Sequence, residues 1–462
     1  MSQYPATHSE RHDESPPWRL SSSIWFAALA AFLLRVSLCV LSHWLDSVHP
    51  VRQVVGQEAG YIAWSLHIGK GFSTPFPGYE RPTAWLAPIF PAMWSVGFML
   101  FDPFRTQGHI YFAQFLNSAF AALTCFPIYR LGRNFEDRRV GLVAAWAWVF
   151  LPLAILFPLE WAWDQSLSAL LLAWLLCMTY DLSRSPARSW AWPRYGLLWG
   201  FSALTNPSLC IMLPVFLAWI YFRRSRLGTQ SLAQVFAVLL FFAISLTPWT
   251  MRNYKLLGHI VFVKSNFGAE LWLGNNPAVK NVVAGWLHPI ENREELESLN
   301  EEGEYGYMQE KQKAAIAYIR AKPGLFAEHV SLRVLDTWTG IYYFNDDPWV
   351  RSLGLRKVFI AFTALFSVAS LVGLVFMARK DFAKFAPLIL CCLILPIPFY
   401  ITHSTLRYRH PIDPVLTIMA VLPFLLWRAL GLRIRRKGTL ERSLKLPPLR
   451  RLVRWPQYPR QI

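Results

Sequence analysis

The chain has 462 residues, of which 54% are hydrophobic and 16% are charged, and its net charge is +18. Globular proteins carry about 25% charged residues, so this composition is that of a membrane protein, and its 22 tryptophans suit membrane–water interfaces. The basic residues lie in short loops between apolar runs. Membrane topology therefore explains the positive charge, and nucleic-acid binding is excluded as a function.

Apolar runs recur along the chain at the length that a membrane-spanning helix needs, about 20 residues. The first run follows a polar stretch, residues 1–21. It is too long for a signal-peptide core and has no small-residue cleavage site, so we expect a retained anchor. About ten runs qualify and predict an all-α polytopic membrane protein. They are roughly residues 22–43, 109–130, 140–158, 164–182, 193–207, 208–222, 230–249, 355–378, 384–402 and 411–430.

Arginine and lysine concentrate in segments that the positive-inside rule places in the cytoplasm. These segments are 130–139, 184–194, 223–226, 379–384 and the tail from 428. The sequence thus predicts a multi-pass protein of the cell (inner or plasma) membrane with both termini cytoplasmic. Residues 44–108, 159–163, 250–354 and 403–410 are then outside. This topology requires that the proline-flanked run Trp85–Phe101 in the first outer loop lies on the membrane surface or re-enters, instead of crossing.

The same boundaries divide the chain into a cytoplasmic tail (1–21), an N-terminal transmembrane catalytic module (22–249, with outer loop 44–108), an extracytoplasmic cap (250–354), C-terminal transmembrane helices (355–430) and a basic cytoplasmic tail (431–462). In the cap, β-branched residues, asparagines and glycines over 259–276 predict short strands. A charged helix over 291–320 follows. We expect a small mixed α/β segment that covers a site at the membrane face.

The first outer loop carries the acid Glu58, which opens a short amphipathic helix that Gly69 and Gly71 end. A carboxylate at a helix N-terminus is stabilised as the anion, and beside the bilayer it suits general-base work on an acceptor hydroxyl or amine. The alternative is a helix cap or a solvated charge.

Glu160 and Asp164 lie in a short, tryptophan-rich outer turn and share one face if that turn is helical. They are candidates for a second acid that orients the acceptor or binds a cation. The alternative for Asp164 is an N-cap of the helix that begins at Gln165.

Arg407, Arg409 and His410 lie in the last outer loop, where positive charge opposes the usual bias. Arginine clusters bind phosphates through bidentate hydrogen bonds, and a lipid-linked phosphate would lie at this depth. Anionic lipid head groups are the alternative ligand. Arg252 either adds to this positive patch or snorkels to the interface, and Arg35 is a charge in the middle of the first span whose partner the sequence does not identify.

Other chemistries find little support in the sequence, which has no phosphate-binding loop, HExxH, GxSxG or CxxC motif. All six cysteines fall in apolar runs and are expected to be small core residues. The histidines are scattered along the chain and include His43, His49, His67, His259, His288, His329 and His403. A site that combines a loop histidine with an acid leaves a divalent metal ion open as a cofactor.

Several of these segments together resemble the membrane glycosyltransferases of the C-type fold. They are QEAGYIAWSLHIGKGF and PTAWLAPIFP in the first loop, the acidic turn Glu160–Asp164, TPWTMRNY and RYRHPIDP. The likeness is greater to the branch of protein O-mannosyltransferases and lipid A aminoarabinose transferases, glycosyltransferase family 39. That family has surface helices in its first outer loop and an essential acid there, usually an Asp in an Asp–Glu pair ahead of a Tyr.

The resemblance implies roles for particular residues of this chain. Here Gln57 and Glu58 replace the Asp–Glu pair and Tyr61 follows, so the catalytic role is carried to Glu58, with Tyr61 in the substrate site. The second acid maps to Glu160 or Asp164, with Asp164 preferred.

The implied donor is a polyprenyl-phosphate sugar, and the reaction is an inverting transfer in the cell envelope. The acceptor, whether lipid, glycan or protein, stays open, and membrane lipid is a further partner. The rival function is a polytopic transporter or flippase of a lipid-linked precursor. That function predicts charges along a path through the bundle, whereas the acids here collect at one face.

Overall fold

The computed structural model describes residues 22–48, 57–101, 107–160, 162–184, 189–346, 350 and 354–423. Within these residues the chain is helical and forms no β-strand, with one isolated bridge between Ser73 and Pro82. The helices are α1 (Ser22–Val48), α2 (Gln57–His67), α3 (Ile89–Leu100), α4 (Gly108–Leu123), α5 (Cys125–Phe135), α6 (Arg138–Phe150), α7 (Pro152–Glu160), α8 (Gln165–Leu182), α9 (Ala191–Thr205), α10 (Met212–Ser225), α11 (Leu232–Leu257), α12 (Phe267–Gly274), α13 (Arg293–Ala321), α14 (Pro323–Thr339), α15 (Ile341–Asp346), α16 (Arg356–Ile394), α17 (Ile397–Ile401) and α18 (413–423). Short 3-10 helices cover Pro207–Ile211, Gly285–Leu287 and Leu406–Ile412.

In the described part of the chain, 6 helical segments are long and apolar enough to cross a membrane, or up to 7 if the pair α6–α7, bent by 45°, is one span. The 6 are Ser23–His43, Gly108–Phe135, Gln165–Leu182, Pro207–Ser225, Leu232–Leu257 and Arg356–Ile401. This is fewer than the ten runs of the sequence, because α9 has only 15 residues and part of 411–430 lies outside the described residues. The predicted tails 1–21 and 431–462 also lie outside them.

Two of the predicted spans fall in the last of these segments, which contains a break. Asp381 inside α16 has an extended backbone (φ −164°, ψ 85°), and its carboxylate accepts a hydrogen bond from the Lys384 N–H. This is N-cap geometry, so α16 consists of two helices that meet in the predicted basic loop 379–384. The break at Asn206–Pro207 is likewise where the sequence places it, with the Asn206 side chain capping the 3-10 helix Pro207–Ile211.

The apolar bundle is centred on α8, which is buried on nearly all sides, as an all-round apolar helix should be. The helices α9 and α11 approach through small residues. A Cβ on Gly196 would lie 2.4 Å from the Val238 carbonyl oxygen, and one on Gly200 would lie 2.2 Å from the Ser245 Cβ. Small residues allow this close backbone contact between membrane helices. The six cysteines form no disulfide, and five of them are buried, as expected for core residues.

Arg35, the charge in the middle of the first span, is bound by backbone carbonyl oxygens of neighbouring helices. Its guanidinium donates to the carbonyl oxygens of Trp148 (3.2 Å) and Val149 (3.4 Å) at the end of α6, and of Ala154 (2.8 Å) in α7. The last carbonyls of a helix have no partner inside that helix, and a cation there is favourable. Arg35 therefore stabilises the bend between α6 and α7.

The strands predicted over 259–276 are wrong. Side chains of α11 bind carbonyl oxygens of the β-branched residues there: the Trp249 indole donates to Val263 (2.8 Å) and Asn253 donates to Val261 (2.9 Å). No partner strand pairs with this segment among the described residues. The following residues form α12 instead, so the described part of the cap is helical rather than mixed α/β.

A buried carboxylate joins the cap to the first outer loop. Glu304 of α13 accepts hydrogen bonds from the Ala84 N–H (2.9 Å) and from the hydroxyls of Thr83 and Ser265 (2.6 Å). The preceding residue, Gly303, has φ 72°, a backbone conformation that favours glycine and bends α13 at this point. This clamp holds the loop and the cap together beside the cavity described next.

Candidate active site

Three of the residues singled out in the sequence, Glu58, Asp164 and Arg407, line one cavity of ≈ 670 Å³. They come from the start of α2, the residue before α8 and the 3-10 helix Leu406–Ile412, which are far apart in the chain. The volume falls in the range of small-molecule sites, about 300–1,000 Å³. The fold thus brings carboxylates and a guanidinium from three separate turns to one hollow.

Glu58 is held by a histidine of the cap. His288 Nε2 lies 3.5 Å from Glu58 Oε1, and both side chains are largely buried. The other ring nitrogen, Nδ1, accepts a hydrogen bond from the Ile290 N–H at 3.3 Å, which orients the ring with Nε2 towards the carboxylate. His288 fixes the position of Glu58 at the cavity wall.

Asp164 lies at the N-terminal end of α8 and is held from within the bundle. Its carboxylate accepts a hydrogen bond from the Ser168 hydroxyl (2.8 Å), and Asn206 donates to that hydroxyl at 3.2 Å. Burial raises the pKa of Asp164, while Ser168 and the positive charges of Lys264 and Arg407 partly offset the shift. The result is a partly buried acid next to two cations.

Arg407 lies between aromatic rings. Its guanidinium carbon is 4.9 Å from the ring centroid of Trp163 and 5.3 Å from that of Tyr408, both within cation–π distance. Burial disfavours its charge, but Tyr408 and Glu58 outweigh burial and raise the pKa of Arg407. Lys264, which also lines the cavity, supplies a second positive charge near Asp164.

A second carboxylate–histidine pair lines the cavity. His403 Nε2 contacts one carboxylate oxygen of Glu270, and Asn266 donates to the other at 2.7 Å. Although burial acts in the opposite direction, His403 and Lys264 lower the pKa of Glu270 to about 2. Glu270 is therefore an anion throughout the physiological range.

Two predicted phosphate ligands, Arg409 and His410, are not part of the cavity lining. Arg409 Nε pairs with Asp413 Oδ1 at 3.0 Å, and neither side chain is exposed. His410 Nδ1 lies 3.0 Å from the other Asp413 oxygen, and its ring stacks on Trp148 with 5.5 Å between centroids. Asp413, one helical turn further along, draws both side chains into the bundle, which favours a structural role for the pair.

Three other candidates also lie away from the cavity lining. Glu160 is buried and accepts a hydrogen bond from the Tyr343 hydroxyl at 3.1 Å. Arg252 donates to backbone carbonyl oxygens of the first loop, at Thr83 (2.6 Å) and Phe72, and so ties that loop to α11. Tyr61 points outward and is 38% exposed.

The residues that sequence reasoning missed are Lys264, Glu270, His288 and His403. Both histidines were visible as members of a scattered set, but the pairing of His403 with Glu270 spans 133 positions of the chain. Only the folded chain could show which acid each histidine meets. Lys264 lies in the segment predicted to be strand, which gave no reason to expect a site.

A divalent metal ion held by the protein alone would need a cluster of ligands in this cavity. In the part of the chain that the structure describes, no group of three or more His, Cys, Asp or Glu side chains could hold a metal ion. The acids Glu58 and Glu270 are each engaged by a histidine. No step proposed below uses a metal.

Comparisons with known proteins give the fold. No protein-family model and no curated protein matches the chain. Among solved structures, the oligosaccharyltransferase of Archaeoglobus fulgidus in complex with Zn and sulfate superposes with a TM-score of 0.53 at 15% sequence identity, covering 92% of this chain and 51% of that one. The archaeal oligosaccharyltransferase AglB of the same organism, with an inhibitory peptide and a dolichol-phosphate, gives a TM-score of 0.52 at 15% identity and covers 92% of this chain and 52% of that one.

A structure of ArnT from Cupriavidus metallidurans bound to undecaprenyl phosphate gives a TM-score of 0.38 at 12% identity, covering 85% of this chain and 78% of that one. The oligosaccharyltransferase comparison shows that this chain has the C-type fold of membrane glycosyltransferases, as the resemblance in its sequence implies. The chain spans about half the length of that oligosaccharyltransferase, 51%. A shared fold does not by itself assign an activity, which has to be argued from the site.

Proposed function

We propose that this chain is a membrane glycosyltransferase that moves a sugar from a polyprenyl-phosphate donor to an acceptor on the extracytoplasmic side of the membrane. The observation that carries the proposal is the meeting of Glu58, Asp164 and Arg407 in one cavity. A base, a second acid and a fixed positive charge are the groups that displacement of a phosphate from an anomeric carbon requires.

The phosphate of the donor binds to Arg407 and Lys264. Arg407 is permanently charged and can form two parallel hydrogen bonds to phosphate oxygens, while Lys264 adds a point charge from the cap. The structure of AglB in complex with a dolichol-phosphate supports this choice of ligand class. The negative charge that develops on the leaving phosphate is stabilised here, a contribution of several kcal/mol, about 3, per well-placed donor.

Glu58 acts as the general base. The acceptor's O–H or N–H gives its proton to Glu58 as the acceptor attacks the anomeric carbon. The bond from that carbon to the phosphate oxygen breaks, and its electron pair leaves with the lipid phosphate. Attack from the opposite face inverts the anomeric centre. Asp164, fixed by Ser168, orients the acceptor for this attack.

The rival function, a transporter or flippase, predicts charges along a path through the bundle. Arg35, the charge that lies clearly within a span, is bound to carbonyl oxygens at the bend between α6 and α7. It therefore has a structural role and marks no path through the bundle. The acids Glu58, Asp164 and Glu270 line one cavity, which favours chemistry at that place over passage.

The replacement Glu58→Gln tests the function. Glutamine keeps the size of the side chain and an oxygen that can face His288, but it cannot take a proton from the acceptor. We expect transfer of label from a radiolabelled polyprenyl-phosphate sugar to fall about 100-fold or more in proteoliposomes, while the amount of inserted protein is unchanged.

The matched control is Glu80→Gln in the same loop. Glu80 is 71% exposed and pairs with Lys70 at 3.0 Å, away from the cavity lining, so this variant should transfer sugar like the unmodified protein. Near-normal transfer by Glu58→Gln would reject the role of Glu58. The absence of transfer by the unmodified protein with any polyprenyl-phosphate sugar would reject the function itself.

A further inference from the structure

The pair of Glu270 and His403 has no part in the mechanism above, yet it lines the same cavity. Glu270 is held from two sides, by Asn266 at 2.7 Å and by His403 Nε2. Since Nε2 faces an anionic carboxylate, it carries the proton and donates to it. This leaves Nδ1 as the ring nitrogen that a ligand can reach with a hydrogen bond.

His403 Nδ1 lacks a partner. The His403 side chain is 7% exposed, and within the described residues Nδ1 is buried without any hydrogen bond. A buried polar atom that forms no hydrogen bond costs free energy, and such atoms are rare in native structures. His403 lines the cavity, and an unpartnered ring nitrogen on such a side chain is suited to a hydroxyl or amino group of a ligand.

The surface next to this atom is aromatic. Tyr408 and Phe399 also line the cavity and are stacked with 4.6 Å between ring centroids, and the Tyr408 ring centroid is 5.5 Å from that of His403. Ligand pockets combine apolar and aromatic walls with a few placed polar groups that fix orientation. A sugar ring presents both an apolar C–H face and hydroxyl donors, so it matches the two kinds of surface.

The position along the chain indicates which substrate this surface meets. His403 precedes Arg407 by four residues, in the same segment before α18. Because the sugar of the donor is attached directly to the phosphate, a phosphate on Arg407 would place the sugar next to this segment. The acceptor instead has to approach from the side of Glu58.

We propose that His403, oriented by Glu270, binds a hydroxyl or amino group of the transferred sugar, with the Tyr408–Phe399 pair against the sugar ring. The proposal rests on the proposed function, because it takes the donor to be a lipid-phosphate sugar. His403 is the residue that touches the sugar, and Glu270 is a positioning residue. This pair makes the cavity selective for the sugar rather than for the lipid phosphate.

Two replacements of His403 separate the roles of its nitrogens. Glutamine can reach Glu270 with its amide nitrogen, as Nε2 does, but leaves no acceptor at the position of Nδ1. Asparagine places an amide oxygen near the position of Nδ1 and loses the contact with Glu270. His403→Gln therefore removes the proposed sugar contact and keeps the cavity wall tied to α12.

The experiment measures binding, not transfer. Each protein in lipid nanodiscs is titrated against radiolabelled polyprenyl phosphate with competitors: unlabelled polyprenyl phosphate and polyprenyl-phosphate mannose, glucose, galactose and arabinose. For the unmodified protein we expect at least one sugar-bearing lipid to bind more tightly than polyprenyl phosphate. His403→Gln should reduce that preference about three- to tenfold, the effect of one neutral hydrogen bond, with polyprenyl phosphate itself unaffected.

His403→Asn should retain more of the preference than His403→Gln, and Glu270→Gln should reduce it without changing the affinity for polyprenyl phosphate. A merely structural role would alter both affinities together. The proposal is overturned if the unmodified protein binds no sugar-bearing lipid more tightly than polyprenyl phosphate, or if His403→Gln keeps the full preference. Because no transfer is measured, these outcomes are independent of the test of Glu58.

Discussion

At the scale of single residues, four arginines of this chain show that the same side chain serves different purposes in different surroundings. Arg35 and Arg333 are buried and donate to backbone carbonyl oxygens at the ends of helices, Arg333 to those of Gly274 and Ile401. Arg409 is paired with Asp413 inside the bundle, whereas Arg407 lines the cavity. The sequence RYRH made Arg407 and Arg409 equal candidates, because spacing alone does not show that Asp413 engages only the second.

Arg407→Gln and Arg409→Gln should therefore have different effects. Loss of Arg407 removes charge-assisted hydrogen bonds to the phosphate, so we expect polyprenyl phosphate to bind about tenfold more weakly or worse. The unfolding temperature of this variant should equal that of the unmodified protein. Loss of Arg409 leaves Asp413 without its guanidinium partner in the interior and should destabilise the fold by about 3–5 kcal/mol. Thermal unfolding in detergent and the nanodisc binding assay measure the two quantities separately. Equal loss of lipid binding by two stably folded variants would contradict this distinction.

At the scale of elements, α12 shows where sequence reasoning was wrong and why. Its glycines suggested turns between strands, but Gly268 and Gly274 are there for close contact. A Cβ on Gly268 would lie 2.0 Å from the Met308 carbonyl oxygen, and one on Gly274 would lie 1.7 Å from that of Thr402. Close contacts with backbone that is distant in sequence leave no pattern in the neighbouring residues, so they could not be predicted. The break at Asn206–Pro207 was predictable because proline acts locally.

Gly274→Ala should disturb the active site from outside it. The added methyl group collides with the backbone at Thr402 and must displace the segment that carries His403 and Arg407. We expect a loss of about 1–3 kcal/mol of stability, the usual cost of overpacking, together with weaker binding of polyprenyl-phosphate sugars. Gly324→Ala is the control, since an added Cβ there meets nothing within 4 Å. If Gly274→Ala had the same thermal stability and the same lipid affinity as this control, the contact between α12 and Thr402 would not support the site.

At the scale of the whole molecule, the helical architecture could be predicted because a bilayer requires long apolar helices, which leave a strong signal in composition. The meeting of Glu58, Asp164 and Arg407 could also be anticipated, because charged side chains in outer turns beside the membrane suggest a functional site there. The histidine partners and Lys264 could not, since each meets its acid only when the cap folds over the bundle. Polar candidates such as Arg409 and Glu160 lie inside the bundle, where they contact Asp413 and Tyr343.

The most direct test of the account is an electron cryomicroscopy structure of the protein in nanodiscs with a bound polyprenyl-phosphate sugar. We predict density for the phosphate within hydrogen-bond distance of the Arg407 guanidinium and for the sugar against His403 and Tyr408, with Glu58 facing the anomeric carbon. A lipid phosphate bound elsewhere on the protein, with this cavity closed to the lipid, would contradict the account.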